Sequence, residues 1–474
     1  MQLRSLLETK LITAVLATVM ITMTYFLWHP GAMSFDTFAQ LSQARSGIFS
    51  DGWPPLFSLL WGHLDGVLPG PAPVLALQLT LYFGSAAVII ASISSRMPVT
   101  AGAAYLTFAL WPPIHGIIGA IWIDILMASV FLGSCAMIVI AKGCEGARRN
   151  AAISVSIVLL VVGIGFRHNA AAAAGPIAVL IALVATRRTK LTLNALAFGL
   201  GGGMVIVILG FAATSHISSY LVNNKSHFWT GLVQYDLAGI AVREPNTAFS
   251  RQIFEPQTLD DVVTLYTPRS SIPLKLGYQV HELEQGKTAA QATPLSDRFT
   301  SGTTRDRTEL RDAFLAAVIS EPTAYLAHRT AVFSSLIGLE PWNQLWGAVY
   351  TRIDSNNENV PPRPELENSL FSTLRNLMDS YIFRPFTYLI ASVLGLAASG
   401  VAYYNSRSDK ILISSALYLS GLLHMLGLFF VAQSADFRYS HWLITTTMLA
   451  TVILALQLRV STDDDECEDP SFVH

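Results

Sequence analysis

The stretch Trp122–Lys142, WIDILMASVFLGSCAMIVIAK, shows in one segment how this chain is organised. Residues 123–141 are almost wholly apolar, and about 20 such residues are enough for a helix to cross the hydrocarbon core of a bilayer. A lysine follows this run, whereas Trp122 and Asp124 lie at its start. Because a charge near hydrocarbon costs about 2.5–3.5 kcal/mol on insertion scales, Asp124 is a candidate for a functional role.

Apolar runs of this kind recur throughout the sequence. The chain has 474 residues, of which 52% are hydrophobic and 13% are charged, and its mean hydropathy is +0.46. This composition predicts an all-α polytopic membrane protein and excludes a soluble globular one. We expect about ten transmembrane helices, at residues 11–28, 72–95, 99–119, 123–141, 151–166, 170–185, 193–214, 381–404, 411–432 and 440–458.

Lysine and arginine residues in the short loops set the orientation of these spans, because such residues favour the cytoplasmic side. Arg4 and Lys10 place the N-terminus in the cytoplasm. The later basic residues fall in loops that are also cytoplasmic if the chain crosses the membrane about ten times. The first apolar run is followed by His29-Pro30 instead of a small-residue cleavage site, so we interpret it as a retained signal anchor. Both termini are therefore predicted to be cytoplasmic.

Changes in composition divide the sequence further. We predict an N-terminal transmembrane module with its first outer loop (1–214, loop 29–71), a mixed extracytoplasmic insert with outer-face helices (215–380), C-terminal transmembrane helices (381–460) and an acidic cytoplasmic tail (461–474). A helical pattern at 308–340, broken at Pro322, is placed on the outer face, with a crossing at 326–345 as the alternative.

Charge and cysteine usage narrow the partners. A formal net charge of −2 argues against nucleic acid as a partner, whereas the apolar spans require a lipid bilayer. Cys135 lies in a span, Cys144 in a basic loop and Cys467 in the acidic tail, so the cysteines do not form a disulfide framework.

When the spans are threaded through a bilayer, the unusual charged residues collect at their non-cytoplasmic ends. These residues are Asp36, Asp51, Asp124, Arg167, His168, Asp436 and Arg438. Arg167 and His168 lie between two short predicted spans, 151–166 and 170–185, which either line a cavity or form a broken re-entrant pair. A one-sided cluster of costly charges indicates a water-filled cavity with a chemical role.

Each acidic candidate has a functional and a structural interpretation. Asp36 is either a general base or a helix cap. Asp51 is a second acid, a residue that positions the acceptor, or the first residue of a turn. Pro54 and Pro55 fix the backbone that carries Asp51 and Trp53. Asp124 either faces the same cavity as Asp36 or caps its own helix beside an interfacial tryptophan.

The cationic candidates suit a phosphate. Arg167 presents a planar donor fork that fits a phosphate, and the alternative is a structural pair with one of the aspartates. Arg438 and Tyr439 either hold a phosphate or sugar hydroxyls, or Arg438 pairs with Asp436 across a loop. Arg329, next to His328, is a further cationic candidate, and its alternative is a solvated helix face.

These motifs resemble the GT-C superfamily of membrane glycosyltransferases. Asp36 shortly after the first span, followed by Asp51-x-Trp-Pro-Pro-Leu, is similar to the first outer loop of that superfamily. Further similar elements are Trp122-x-Asp124, the triplet 167–169, the stretch 235–240 (YDLAGI) and Asp436-x-Arg438-Tyr439. The late Arg-Tyr also resembles protein-mannosyltransferase-like and aminoarabinose-transferase-like members.

The resemblance implies a GT-C-like fold and a glycosyltransferase in the bacterial inner membrane. It implies transfer of a sugar from a polyprenyl-phosphate donor to a glycan, lipid or protein acceptor on the periplasmic side. The expected catalytic residues are Asp36, Asp51 and Asp124, and the expected donor-binding residues are Arg167, His168, Arg329, Arg438, Tyr439 and Trp53. The best-known members of the superfamily have an Asp-Glu pair at this place, but here Thr37 follows Asp36. No metal ligand is therefore assigned, although a divalent metal stays optional. The sequence implies no redox cofactor.

Three other functions compete with this hypothesis. A polymerase or ligase of lipid-linked glycans also has a large outer loop and arginines, but it would build a ladder of products. A secondary transporter usually binds its substrate near the midplane between repeated halves, and this sequence shows no repeat. A structural subunit with a periplasmic domain would tolerate alanine at the charged positions.

Overall fold

A computed structural model describes residues 2–94, 97–167, 169–187, 192–245, 256–276, 304–339, 346–406 and 408–466. Nearly all of the regular structure in these ranges is helical. Eight of the described helices are long and apolar enough to cross a membrane. The predicted class is confirmed, and the chain is an all-α multi-pass membrane protein.

The chain divides into two compact units, and the first of them comprises Met1–Asn223, Gly347–Met425 and Arg438–His474. Its N-terminal helices are α1 (Gln2–Trp28), α2 (Phe35–Ser46), α3 (Pro55–Val67), α4 (Ala72–Ile93), α5 (Pro98–Ala109), α6 (Pro112–His115), α7 (Ile123–Lys142), α8 (Gly146–Phe166), α9 (Ala170–Ala185) and α10 (Leu193–Leu221). Two short strands, β1 (Phe49–Ser50) and β2 (Val222–Asn224), pair with each other.

The second unit comprises Asn224–Trp346 and Leu426–Phe437. Its helices are α11 (Trp229–Arg243), α12 (Pro256–Leu265), α13 (Ile272–Leu276), α14 (Thr304–Ser320) and α15 (Pro322–Leu336). The expected break at Pro322 separates α14 from α15. The insert expected at 215–380 stays a prediction; in this division, residues 215–223 and 347–380 belong to the first unit.

The chain then continues with the last helices. These are α16 (Ser369–Leu377), α17 (Pro385–Ser406), α18 (Ile411–Val431) and α19 (His441–Glu466), with single 3₁₀ turns at Tyr381–Phe383 and Phe437–Ser440. Helix α19 extends into the acidic segment expected at 461–474, and Cys467 lies outside the described residues.

Burial separates the inner spans of the first unit from the outer ones. Within the most apolar window of each span, 83% of residues are buried in α7, but only 22% in α10 and 22% in α17. The apolar side chains that α10 and α17 leave exposed are suited to lipid, which does not penalise them. Helix α7, which carries Asp124, is therefore an inner helix, as its nearly continuous apolar sequence predicts.

The expected spans at 99–119 and 151–166 differ most clearly from the structure. Residues 99–119 do not form one helix, because α5 ends at Ala109 and α6 begins at Pro112, which has no N–H to continue the ladder. The 12 residues of α5 rise only about 18 Å, which is short of a hydrocarbon core about 30 Å thick. Helix α8 begins at Gly146 instead of 151 and has 21 residues, so of the two expected short helices α9 is the one that is short.

A buried polar group lies among the apolar side chains of the second unit. Val233, Leu237 and Ile240 of α11 form part of the apolar core, and Asp236 projects from the same helix with 1% exposure. Arg329 and His328 of α15 both bind its carboxylate: Arg329 forms an ion pair with it, and the His328 Nε2–Asp236 Oδ1 distance is 2.9 Å. Because a lone buried charge is costly, these contacts lock α11 and α15 together.

The hydrogen bonds of His328 indicate which of its ring nitrogens carries a proton. A carboxylate only accepts, so Nε2 carries the proton that binds Asp236, and Nδ1 accepts from the Tyr266 hydroxyl at 2.8 Å. Arg243 in turn donates to the Tyr266 oxygen at 3.1 Å. Burial lowers the pKa of His328 below its ordinary value, although the hydrogen bond to Asp236 opposes this shift. The imidazole is therefore neutral in the folded unit.

We expect Asp236→Asn to destabilise the second unit strongly. The substitution removes the charge that compensates Arg329, and breaking a buried pair in this way costs about 3–5 kcal/mol. Asp260→Asn on the exposed face of α12 is the matched control and should change stability by less than about 0.5 kcal/mol. Equilibrium unfolding of the full chain in detergent measures both, and equal effects would contradict the role given to Asp236.

We also expect the second unit to lose stability as the pH falls. Above about 6.5, the ordinary pKa of histidine, His328 is neutral in both the folded and the unfolded chain. Below that value the unfolded chain binds a proton that the buried imidazole resists, so acid favours unfolding. Melting curves between pH 7.5 and 5.5 should show the stability gap between wild type and His328→Gln narrowing toward acid. A constant gap would rule out this contribution.

Candidate functional site

The candidate site lies in the first unit, where four segments distant in sequence bring charged residues together. Asp36 is in the first turn of α2, and Asp124 is in the first turn of α7. Arg167 directly follows α8, and Arg438 and Tyr439 are in the 3₁₀ turn before α19. Asp124, Arg167 and Arg438 lie at ends of helices that are long and apolar enough to span a membrane, and Asp36 lies in the helix that follows α1.

The first contact of the site is an ion pair between Asp36 and Arg438. A terminal nitrogen of Arg438 donates to Asp36 Oδ2 at 2.6 Å, across 402 positions of sequence. The Asp36 side chain keeps 34% of its surface exposed, and that of Arg438 keeps 11%. The carboxylate is thus both paired and open to solvent, so a ligand can reach it.

Local hydrogen bonds fix the helix that carries Asp36. Ser34 precedes α2, and its backbone N–H donates to Thr37 Oγ1 at 3.3 Å. The Thr37 hydroxyl itself donates to the backbone oxygen of Ile121 at 3.1 Å, which ties α2 to the segment before α7. Thr37 is fully buried, so this position anchors the helix, and its neighbour Asp36 is left facing the site.

Trp122 positions both members of the Asp36–Arg438 pair. Its indole N–H donates to Ser34 Oγ at 2.9 Å, at the start of the helix that carries Asp36. The guanidinium carbon of Arg438 lies 5.2 Å from a Trp122 ring centroid, within cation–π range. Tyr350 packs on the same indole with ring centroids 4.9 Å apart. The sequence interpretation treated Trp122 as an interfacial residue and missed this role.

The second ion pair joins Asp124 to Arg167. Asp124 is only 3% exposed, and Arg167 forms an ion pair with its carboxylate and donates from Nε to Asn169 Oδ1 at 3.0 Å. This is the structural pairing that the sequence left open as the alternative for Arg167. Because the Asp124 carboxylate is buried against its partner, it is less accessible to a ligand than that of Asp36.

Tyr439 connects the two ion pairs. The guanidinium carbon of Arg167 lies 4.4 Å from the Tyr439 ring centroid, and that of Arg438 lies 5.3 Å from it. Two arginines near one ring repel each other unless anions neutralise them, and each has an aspartate bound. The charges of these two arginines and two aspartates sum to zero.

The remaining predicted residues lie elsewhere or outside the described part of the chain. Asp51 and Trp53 are half-buried in the turn between β1 and α3. His168 lies outside the described residues. Asp436 lies in the second unit, where its segment pairs with Trp346.

Arg329 corrects an expectation. Its side chain is fully buried in the second unit and bound to Asp236, and it donates to the backbone oxygen of Ala432 at 2.8 Å. The interpretation of residues 328–329 as a solvated helix face is therefore wrong, because both side chains face inward. Within the described residues, no cluster of three or more histidine, cysteine or acidic side chains is suited to bind a metal ion.

Comparison with known proteins adds little to this geometry. No protein-family model matches the sequence, and no curated protein matches it. Among solved structures, the crystal structure of ArnT from Cupriavidus metallidurans in the apo state matches at 12% sequence identity. That match covers 93% of this chain and 77% of the other, with a TM-score of 0.33. The fold and the site by themselves define a multi-pass membrane protein with a charged site at the ends of its spans.

A double-mutant cycle should show that Asp124 and Arg167 act as a unit. Arg167→Met leaves a buried carboxylate without its cation, which costs about 3–5 kcal/mol, and Asp124→Asn added to it should recover a large part of that loss. Unfolding of the full chain in detergent measures the coupling.

The pair Lys142–Asp409 is the control for this cycle, because it starts from the other end of α7 and is partly exposed, with a distance of 2.9 Å. Lys142→Met and Asp409→Asn should couple by less than about 1 kcal/mol. Additive losses for Asp124 and Arg167 would contradict the assigned ion pair.

Proposed function

We propose that this protein is a membrane glycosyltransferase that moves a sugar from a polyprenyl-phosphate donor to an acceptor hydroxyl on the periplasmic side of a bacterial inner membrane. One observation carries the proposal: a solvent-accessible carboxylate, Asp36, is bound to an arginine held against two aromatic rings. A base, a phosphate-binding cation and flat apolar surfaces are the groups that sugar transfer from a phosphate requires.

The place of the site supports a lipid-linked donor. Asp124 and Arg167 lie at the ends of α7 and α8, both of which are long and apolar enough to span a bilayer. A lipid phosphate lies at the same level as such helix ends, because its hydrocarbon chain stays in the core. Lys142 marks the opposite end of α7 as cytoplasmic, which supports a periplasmic site.

The reaction that we infer is a single displacement. The acceptor hydroxyl oxygen attacks the anomeric carbon, and the bond from that carbon to the phosphate oxygen breaks with its electron pair on the phosphate. Asp36 takes the proton of the hydroxyl, so the products are the glycosylated acceptor and a polyprenyl phosphate. A displacement of this kind inverts the anomeric configuration.

Each residue of the site has a role in this proposal. Arg438 binds the departing phosphate, whose growing charge it stabilises, and Arg167 adds positive charge from beyond the Tyr439 ring. Asp124 holds Arg167 in place. The half-buried turn with Asp51 and Trp53 is assigned to acceptor binding.

Asp36→Asn should greatly reduce transfer in a protein that still folds. Asparagine is nearly isosteric with aspartate but does not take up a proton, so we expect activity to fall by about 10²–10⁴-fold. The test reconstitutes the chain with the polyprenyl-phosphate-sugar fraction extracted from its own host membranes. Mass spectrometry then follows loss of one donor and release of polyprenyl phosphate.

Asp65→Asn is the matched control, because Asp65 also pairs with an arginine, Arg45, at 3.0 Å in the first unit, and it should keep full activity. Unchanged donor consumption by Asp36→Asn would reject the base. A ladder of products would favour a polymerase, and solute flux without a covalent product would favour a transporter.

A further inference from the structure

The ion pair between Asp36 and Arg438 presents a conflict for the proposed reaction. Arg438 uses a terminal N–H group on the Asp36 carboxylate at 2.6 Å. The same N–H group does not simultaneously serve a phosphate, and the carboxylate oxygen that it occupies is less available to an acceptor hydroxyl. In the structure the two groups are engaged with each other.

We propose that the donor phosphate and the Asp36 carboxylate compete for Arg438, so that phosphate binding releases Asp36 to act as the base. This inference rests on the proposed function, because it assigns the phosphate of a lipid-linked sugar to Arg438. The Asp36 carboxylate and the donor phosphate bind the same guanidinium in turn, so donor binding and release of the base occur in one exchange.

The aromatic rings make such an exchange feasible. Arg438 lies 5.2 Å from the Trp122 ring centroid and 5.3 Å from that of Tyr439, and these contacts do not depend on which anion it binds. The guanidinium is thereby kept in place while its anionic partner changes. A phosphate matches the planar fork of the guanidinium with two parallel hydrogen bonds, so it can replace the hydrogen bond that Arg438 donates to Asp36 Oδ2.

Asp36 is exposed enough to leave its ion pair, and Asp124 is not. The Asp36 side chain is about one-third exposed, so it can turn into water when a phosphate displaces it. The Asp124 side chain is only 4% exposed, and releasing it from Arg167 would leave a buried charge. The two ion pairs thus differ in function: one exchanges its anion, and the other stays closed.

The exchange also sets the order of events. The acceptor meets a free carboxylate only when a donor phosphate occupies Arg438, so the donor binds before the acceptor is activated. After transfer, Asp36 carries the proton of the hydroxyl and is neutral, and it therefore does not compete for Arg438. Loss of that proton restores the competing charge, which assists departure of the polyprenyl phosphate.

Binding of farnesyl phosphate to the full chain in detergent micelles tests the competition. Asp36→Asn removes the competing charge, so the affinity for farnesyl phosphate should rise by about tenfold, because the competent state of Arg438 is no longer depleted. Asp36→Ser, with a shorter side chain, should give the same gain. Asp65→Asn should bind like the wild type, and uncharged farnesol should show no difference between any of these proteins.

A second background separates competition for Arg438 from simple repulsion between Asp36 and the phosphate. With Arg438→Gln there is no cation to compete for, so adding Asp36→Asn should leave the weakened affinity unchanged. A tenfold gain that persists in this background would mean that Asp36 acts by repulsion alone, and it would overturn the inference.

The remaining outcomes distinguish this inference from the proposed function. If wild type binds farnesyl phosphate and transfers sugar, but Asp36→Asn binds no more tightly, the competition is wrong and the glycosyltransferase proposal stands. If neither protein binds farnesyl phosphate and wild type consumes no donor, both proposals fail together.

Discussion

The structure of the first unit depends on the cost of leaving an ionised side chain without a partner near hydrocarbon. Arg167 cannot lose its charge, and Asp124 is almost fully buried, so each requires the other. Arg438 and Asp36 meet under the same constraint from positions 402 residues apart. Pairing of charges therefore brings the starts of α2 and α7, the end of α8 and the turn before α19 to one place.

The same rule organises the second unit with a different result. Asp236, His328 and Arg329 are all buried, and their contacts hold helices α11 and α15 together. All three of these side chains are excluded from solvent, whereas the Asp36 side chain in the first unit is partly exposed. Both units contain paired charges, so charge alone does not identify a ligand-binding group. The exposed fraction of the aspartate side chain distinguishes a group that supports the fold from one that can contact a ligand.

The grouping of Asp36, Asp124, Arg167 and Arg438 could be predicted from the sequence. The hydropathy of the spans and the alternation of basic loops predict that these residues lie on the same side of the membrane. What failed depended on tertiary contacts or on single residues. Hydropathy continues through 99–119, but Pro112 ends the helix. The burial of Arg329 depends on Asp236, 93 positions away, and the role of Trp122 depends on contacts with Ser34 and Arg438 that no local pattern shows.

The buried hydrogen bonds of Thr37 limit which residue type can follow Asp36. A second acid directly after Asp36 would have to occupy a fully buried position whose side chain faces the backbone oxygen of Ile121 at 3.1 Å. A carboxylate there could still accept from the Ser34 N–H, but it has no proton to donate to the Ile121 carbonyl, so two acceptor oxygens would face each other in a buried place. A pair of adjacent acids is thus disfavoured at positions 36 and 37, and the constraint comes from one buried threonine hydroxyl.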